Sequence, residues 1–255
     1  MSELPAAELE RLARSGDVAD RALAASAIRL GLHDLEPAAA RALYDVVRRT
    51  ALTEHDDVRR SIRGRALDAN ALVARVLAAP LELRDHLVEE ILDVAYPPLE
   101  SRAPPPGGVG YVPSGIAEVL FVVGQARLGP DRTFVDLGSG SGKVVLAVAA
   151  LSGARAIGVE IDEAWVRFAT AAAASLGLER VSFVAGDIRA SPTPPADVYY
   201  LYIPVLRSVE VVARLEPVAR RRPIQVFASS LDLERLPWLR ATGASSYWLE
   251  MYESV

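Results

Sequence analysis

The stretch VDLGSGSGKVVLAV, Val135 to Val148, sets three glycines and the chain's only lysine, Lys143, between two apolar runs. The β-branched segment TFVDLG leads in and an Ala- and Val-rich helical segment leads out through about Leu151. The glycines are therefore read as the turn between a strand and a helix. A P-loop would need Gly, four residues, Gly-Lys and then Ser or Thr. Counting back from Gly142 and Lys143 puts Leu137 where the first glycine belongs, and Val144 replaces the hydroxyl that would hold magnesium, so the triphosphate reading fails twice. A dinucleotide fingerprint begun at Gly138 and Gly140 demands a small residue at position 143, where Lys143 stands; this weakens that reading and leaves it open. What remains is D-x-G-x-G-x-G: Asp136, Gly138, Gly140 and Gly142. Glycines let backbone N–H groups approach a ligand closely, and the N-terminus of the following helix favours a carboxylate.

Two further signals fall in order along the chain. AIGVEID ends a strand with Glu160, 22 positions after Gly138, where an acidic side chain can accept hydrogen bonds from both hydroxyls of a ribose. VAGDIR then closes the next strand with Asp187 and Ile188. Over roughly Tyr111 to Val255 this series resembles the Rossmann-like (class I) methyltransferases that use S-adenosylmethionine (SAM). The resemblance implies SAM as cofactor and a binding set of Tyr111, Asp136, Gly138, Ser139, Gly140, Gly142, Glu160, Ile161, Asp187 and Ile188, with Asp187 and Ile188 taking the adenine amino group and ring face. A bare strand-to-helix turn and a NAD-dependent dehydrogenase, whose ribose Glu160 would serve equally, stand as alternatives.

A narrower resemblance rests on YVPSG, Tyr111 to Gly115, followed by a helix and then the glycine stretch. This order is similar to the small lysine methyltransferases that modify the ATP-synthase c subunit, and to histone lysine methyltransferases of the disruptor-of-telomeric-silencing type. It implies that Tyr111, Val112, Pro113 and Ser114 fold over the cofactor; an ordinary interdomain loop is the competing reading. The fourth strand, DVYYLYIPVL, ends where a transferable methyl would lie, because ligands sit outside the carboxyl ends of parallel strands. Tyr202, Ile203 and Pro204 are then substrate-side candidates, and Ile203-Pro204 matches the c-subunit group. Tyr202, Pro204 and Tyr111 form the candidate catalytic set. Strand alternation puts Tyr200 and Tyr202 on one face and Tyr199 on the other; Tyr199 and Tyr200 are read as packing residues with satisfied hydroxyls, Tyr202 as functional. The Asn-Pro-Pro-Tyr signature of amide and adenine-N6 methyltransferases and the Asn-rich segment of the telomeric-silencing type are both missing. The expected activity is methyl transfer to a protein lysine amine. A small-molecule O- or N-methyltransferase and a SAM-binding regulatory module without turnover are the alternatives.

Around this site the chain divides into a helical domain over 1–98, a Pro/Gly-rich linker and cofactor loop over 99–114, and a SAM-binding domain over 115–255. The first reads as about five helices with N-caps at Asp17, Asp34 and Thr53. In the last, strands and helices alternate, and two final strands join around Gly243. The resulting fold class is α/β: a doubly wound, mostly parallel seven-stranded methyltransferase sheet preceded by a separate all-α domain. The helical part is open to use as a docking module, a lid or a homodimer interface. It carries 13 arginines against 18 acids over residues 1–100, which argues against a nucleic-acid partner and suits a basic protein acceptor. With no cysteine and three scattered histidines, no metal site is expected. The short apolar runs and the acidic, h-region-free N-terminus lead to the expectation of a cytoplasmic protein without membrane insertion.

Overall fold

The computed structural model describes residues 4–97, 112–202, 208–229, 231–246 and 248–255. The chain separates into two compact units, Met1–Ser101 and Arg102–Val255. The described part of the first is helical: α1 (Ala6–Ala13), α2 (Val18–Arg29), α3 (Pro37–Glu54), α4 (Asp56–Arg63), α5 (Ala69–Ala78), a 3-10 turn at Leu81–Leu83 and α6 (Arg84–Ile91). Asp17 caps α2 as expected, its carboxylate accepting from the N–H of Ala19 at 2.7 Å. The other two expected caps are displaced. Glu36 occupies the N-cap of α3 because Pro37, with its fixed φ and missing N–H, suits the first helical position. Thr53 lies inside α3, its hydroxyl bonded back to the Arg49 carbonyl, and the break falls at His55 instead. Apolar side chains of α1, α2 and α3, among them Leu9, Leu12, Ala24 and Val47, pack into one core with Tyr96.

Beneath that core lies a cluster of buried charge. The Arg21 guanidinium forks onto Glu90 at 2.8 and 2.6 Å, His55 Nε2 meets the same carboxylate at 2.9 Å, and the Tyr96 hydroxyl donates to it as well. Arg75 reaches the other ring nitrogen, its guanidinium 3.1 Å from His55 Nδ1. Arg48 forms a second fork, onto Asp93, at 2.7 and 2.8 Å. Burial alone would push the Glu90 carboxyl up; the hydrogen bonds from Arg21, His55 and Tyr96 outweigh it and hold Glu90 at about 2.

The second unit is a seven-stranded sheet in the order β3-β2-β1-β4-β5-β7-β6. Its strands are β1 (Thr133–Leu137), β2 (Arg155–Glu160), β3 (Val181–Ala185), β4 (Val198–Leu201), β5 (Gln225–Ser229), β6 (Leu239–Ser246) and β7 (Leu249–Ser254), and its helices α7 (Ile116–Gln125), α8 (Lys143–Ser152), α9 (Glu163–Ser175), α10 (Ser208–Ala213) and α11 (Glu216–Ala219). Neighbours among β1 to β5 pair in parallel, while β7 runs antiparallel to both β5 and β6. The α/β sheet and the helical region before it are those expected from the sequence. The order reverses between β1 and β4, which opens a crevice at their carboxyl ends.

Two local expectations change. Gly243 is not the turn between the last strands; it sits inside β6 at φ +80° where the register slips between Ala241 and Ser245, a bulge that a side chain would strain. The expected helix from Val205 to Ala219 is, in its described part, two short pieces, α10 and α11, because Pro217 is accommodated only at the start of a new helix.

Candidate functional site at the carboxyl ends of β1, β2 and β4

The glycine loop runs from β1 into α8 and is tied to β2 by backbone bonds, Gly138 N and Ser139 N both donating to the Val159 carbonyl at 2.9 and 3.0 Å. Its three glycines do different jobs. Gly138 has φ +97° and nothing within 4 Å of where a Cβ would stand, so its main chain borders open space. Gly142 has φ +82°, and a Cβ there would lie 2.6 Å from the Phe183 ring and 2.8 Å from Ala169, so this glycine serves close packing of helix on sheet. Gly140, at φ +51°, donates its N–H to Glu160.

Glu160 stands at the end of β2 with one oxygen accepting from Gly140 N at 2.8 Å and the other from Asp162 N at 3.0 Å. These bonds aim the carboxylate along the rim of the loop and leave two of its roughly four acceptor positions for hydroxyls of a ligand. Asp136 lies one strand away, buried in β1 and paired in register with Gly158 and Tyr200. Burial, and then the negative charge of Glu160, push its carboxyl up to about 8. Ser139 Oγ is buried without a hydrogen-bond partner among the described residues and sits against Gly158, where a Cβ would approach it to 2.5 Å. Lys143 is buried at the first turn of α8.

On the adenine side of the expected site, Ile161 is 39% exposed while Ile188 is buried. Asp187 is engaged by Arg189 two residues on: its carboxylate accepts from the Arg189 backbone N–H at 2.9 Å and from the guanidinium at 2.8 to 3.1 Å, which holds it below the usual carboxylate range. No single sequence signal marked that pair. Gly158 inside AIGVEI did carry a signal, since a glycine within a strand interior points to close approach; here it admits Phe183 and Ser139.

At the end of β4 the three tyrosines separate as alternation predicts. Tyr199 turns its hydroxyl to its own approach loop, accepting from Ala196 N at 2.8 Å and donating to the Pro194 carbonyl at 3.0 Å. Tyr200 donates to Ser114 Oγ at 2.9 Å, and its ring stacks on Tyr202 with centroids 6.2 Å apart and planes 2° from parallel. Tyr111 and Pro204 from the expected catalytic set, with Ile203, lie outside the described residues. Among the described residues no His, Cys, Asp and Glu group is arranged to hold a metal ion, and no helix is long and apolar enough to cross a membrane.

The site fits SAM on its own terms: open main chain at Gly138, a carboxylate at the ribose distance along the chain, and a crevice at the point where strand order reverses. Residues 128–201 match the family model described as a methyltransferase domain. Among solved structures, an RNA methyltransferase from Salinibacter ruber in complex with S-adenosyl-L-homocysteine is similar at 26% identity over 56% of this chain and 92% of that chain, with a TM-score of 0.46. TrmN from Thermus thermophilus is similar at 19% identity over 54% of this chain and 48% of that one, TM-score 0.44. The human methyltransferase 10 domain containing protein is similar at 15% identity over 73% and 96%, TM-score 0.45. No curated protein matches the chain. The methyltransferase-domain match over residues 128–201 supports a SAM-dependent methyltransferase.

Proposed function

We propose that the methyl acceptor is a protein lysine amine, and that the described strand ends divide the work of presenting donor and acceptor to one another. The observation that carries this reading is the stacked pair Tyr200 and Tyr202 at the end of β4, next to Asp136 across the strand pair. SAM supplies a methyl already made electrophilic by its sulfonium. The chain's own part is alignment, the proximity effect. In this reading the open main chain at Gly138 and the N-terminus of α8 receive the amino-acid tail. Glu160 accepts from the ribose, and Ile161, Ile188 and Asp187 receive the adenine, with Ser139 and the packed Gly142 shaping the loop beneath.

An alkylamine with a reference pKa of about 10.4 must be unprotonated to attack, and an aromatic, poorly hydrated channel lowers that value by desolvation. Tyr202 provides one wall of such a channel and can hold the methylated ammonium product by cation–π attraction. Tyr111 and Pro204, outside the described residues, stay with Tyr202 in the proposed catalytic set. An amine desolvated in this way needs no dedicated base.

The test is incubation of the full chain with tritiated SAM and cell extract, followed by separation into protein, RNA and small solutes. Label in a protein band that yields methyl-lysine on hydrolysis supports the assignment. Label confined to RNA or to small solutes overturns it.

A further inference from the structure

Tyr200 is buried at the carboxyl end of β4, opposite Asp136, and its hydroxyl spans 86 positions of chain to reach Ser114. Ser114 is itself buried, and it belongs to the irregular segment Val112–Gly115 that delivers the chain into α7. No strand ladder includes those residues: Gly115 is tied through its carbonyl to Val119 N at 3.4 Å, and Ser114 through its hydroxyl to Tyr200. The neighbouring Tyr199 provides the contrast: its hydroxyl is spent within five residues of itself, on Ala196 and Pro194. A phenylalanine would fill the volume of Tyr200 without the cost of burying a hydroxyl. The buried hydroxyl is satisfied by Ser114, and so it ties the Val112–Gly115 segment to the end of β4.

We infer that Tyr200 is a positioning residue for cofactor binding: its hydroxyl, through Ser114, fixes the Val112–Gly115 segment against the carboxyl end of β4. This rests on the SAM site described above and goes beyond it, since Tyr200 need not touch the cofactor at all. Its ring packs between Phe134, with centroids 6.1 Å apart, and Tyr202, and its oxygen reaches the segment at Ser114.

The experiment uses S-adenosylhomocysteine as probe, with the full chain, by calorimetry and by thermal melting without ligand. Tyr200→Phe and Ser114→Ala are each expected to weaken binding about 5-fold, the equivalent of one hydrogen bond. The double variant is expected to match either single one, because both remove the same tie. Ser114→Thr, which keeps a hydroxyl, is expected to restore affinity. If both single variants bind as tightly as wild type and only melt earlier, the hydroxyl is merely structural and the positioning role is overturned. A wild-type chain that does not bind S-adenosylhomocysteine overturns the cofactor site itself, an outcome distinct from the first.

Discussion

The two units bury carboxyl groups in opposite ways. In the helical unit, Glu90 is surrounded by donors from Arg21, His55 and Tyr96, so that its carboxyl is held at about 2 despite complete burial. At the strand ends of the second unit, Asp136 is buried beside another carboxylate and is pushed up to about 8, and Ser139 Oγ close by has no partner among the described residues. A saturated buried carboxylate stabilises a fold and has little left to offer a ligand. A carboxyl buried beside a like charge instead costs stability, and such perturbed groups cluster at functional sites. The helical cluster therefore reads as architecture, and the Asp136 region as part of the proposed cofactor site.

The comparison breaks most readily at Glu90. Glu90→Ala leaves Arg21 buried without its partner and is expected to cost about 3 to 5 kcal/mol in chemical denaturation of the helical unit. A cost under about 1 kcal/mol would show that the cluster is not saturated in the way described.

The glycine loop sharpens the same contrast. Gly142→Ala drives a Cβ into Phe183 at a positive φ and is expected to cost about 2 to 4 kcal/mol of stability. Gly138→Ala meets only open space. Its expected cost is about 1 to 2 kcal/mol of backbone strain, with a larger effect on S-adenosylhomocysteine affinity than on melting. Glu160→Ala should weaken that affinity by about 10- to 100-fold, on the order of 1.5 to 3 kcal/mol for bonds to a charged acceptor.

The pH dependence has two limbs of opposite sign. Glu90 is more acidic folded than unfolded, so its contribution is present at neutral pH and is lost as pH falls from about 4.5 to about 2. Asp136 is less acidic folded than unfolded, so stability is lost as pH rises from 3.8 to about 8. Asp136→Asn should flatten the second limb and leave the first intact, measured by melting temperature across pH in the absence of cofactor. Least in size, Asp17→Ala should cost about 1 kcal/mol by removing the N-cap of α2.

Much of the second unit was legible because its signals are local. The glycine loop, the acid closing β2 and the alternation of Tyr199, Tyr200 and Tyr202 each follow from spacing along a single strand or turn. The helix boundaries at Glu36 and His55 were missed because several residues near each break can cap, and which one does depends on where the helix packs. The partners of Glu90 were invisible for a deeper reason: Arg21, His55 and Glu90 lie up to 69 positions apart and share no periodicity.

From the sequence alone came the order of strands and helices, the glycine turn and the carboxylate at the end of β2, all set by backbone preferences that act over a few residues. Only the tertiary structure decided that Gly142 packs while Gly138 stays open, that Arg189 holds Asp187, and that the Tyr200 hydroxyl reaches Ser114. Those outcomes depend on which side chains meet across the sheet, and no local rule in the chain encodes such distances.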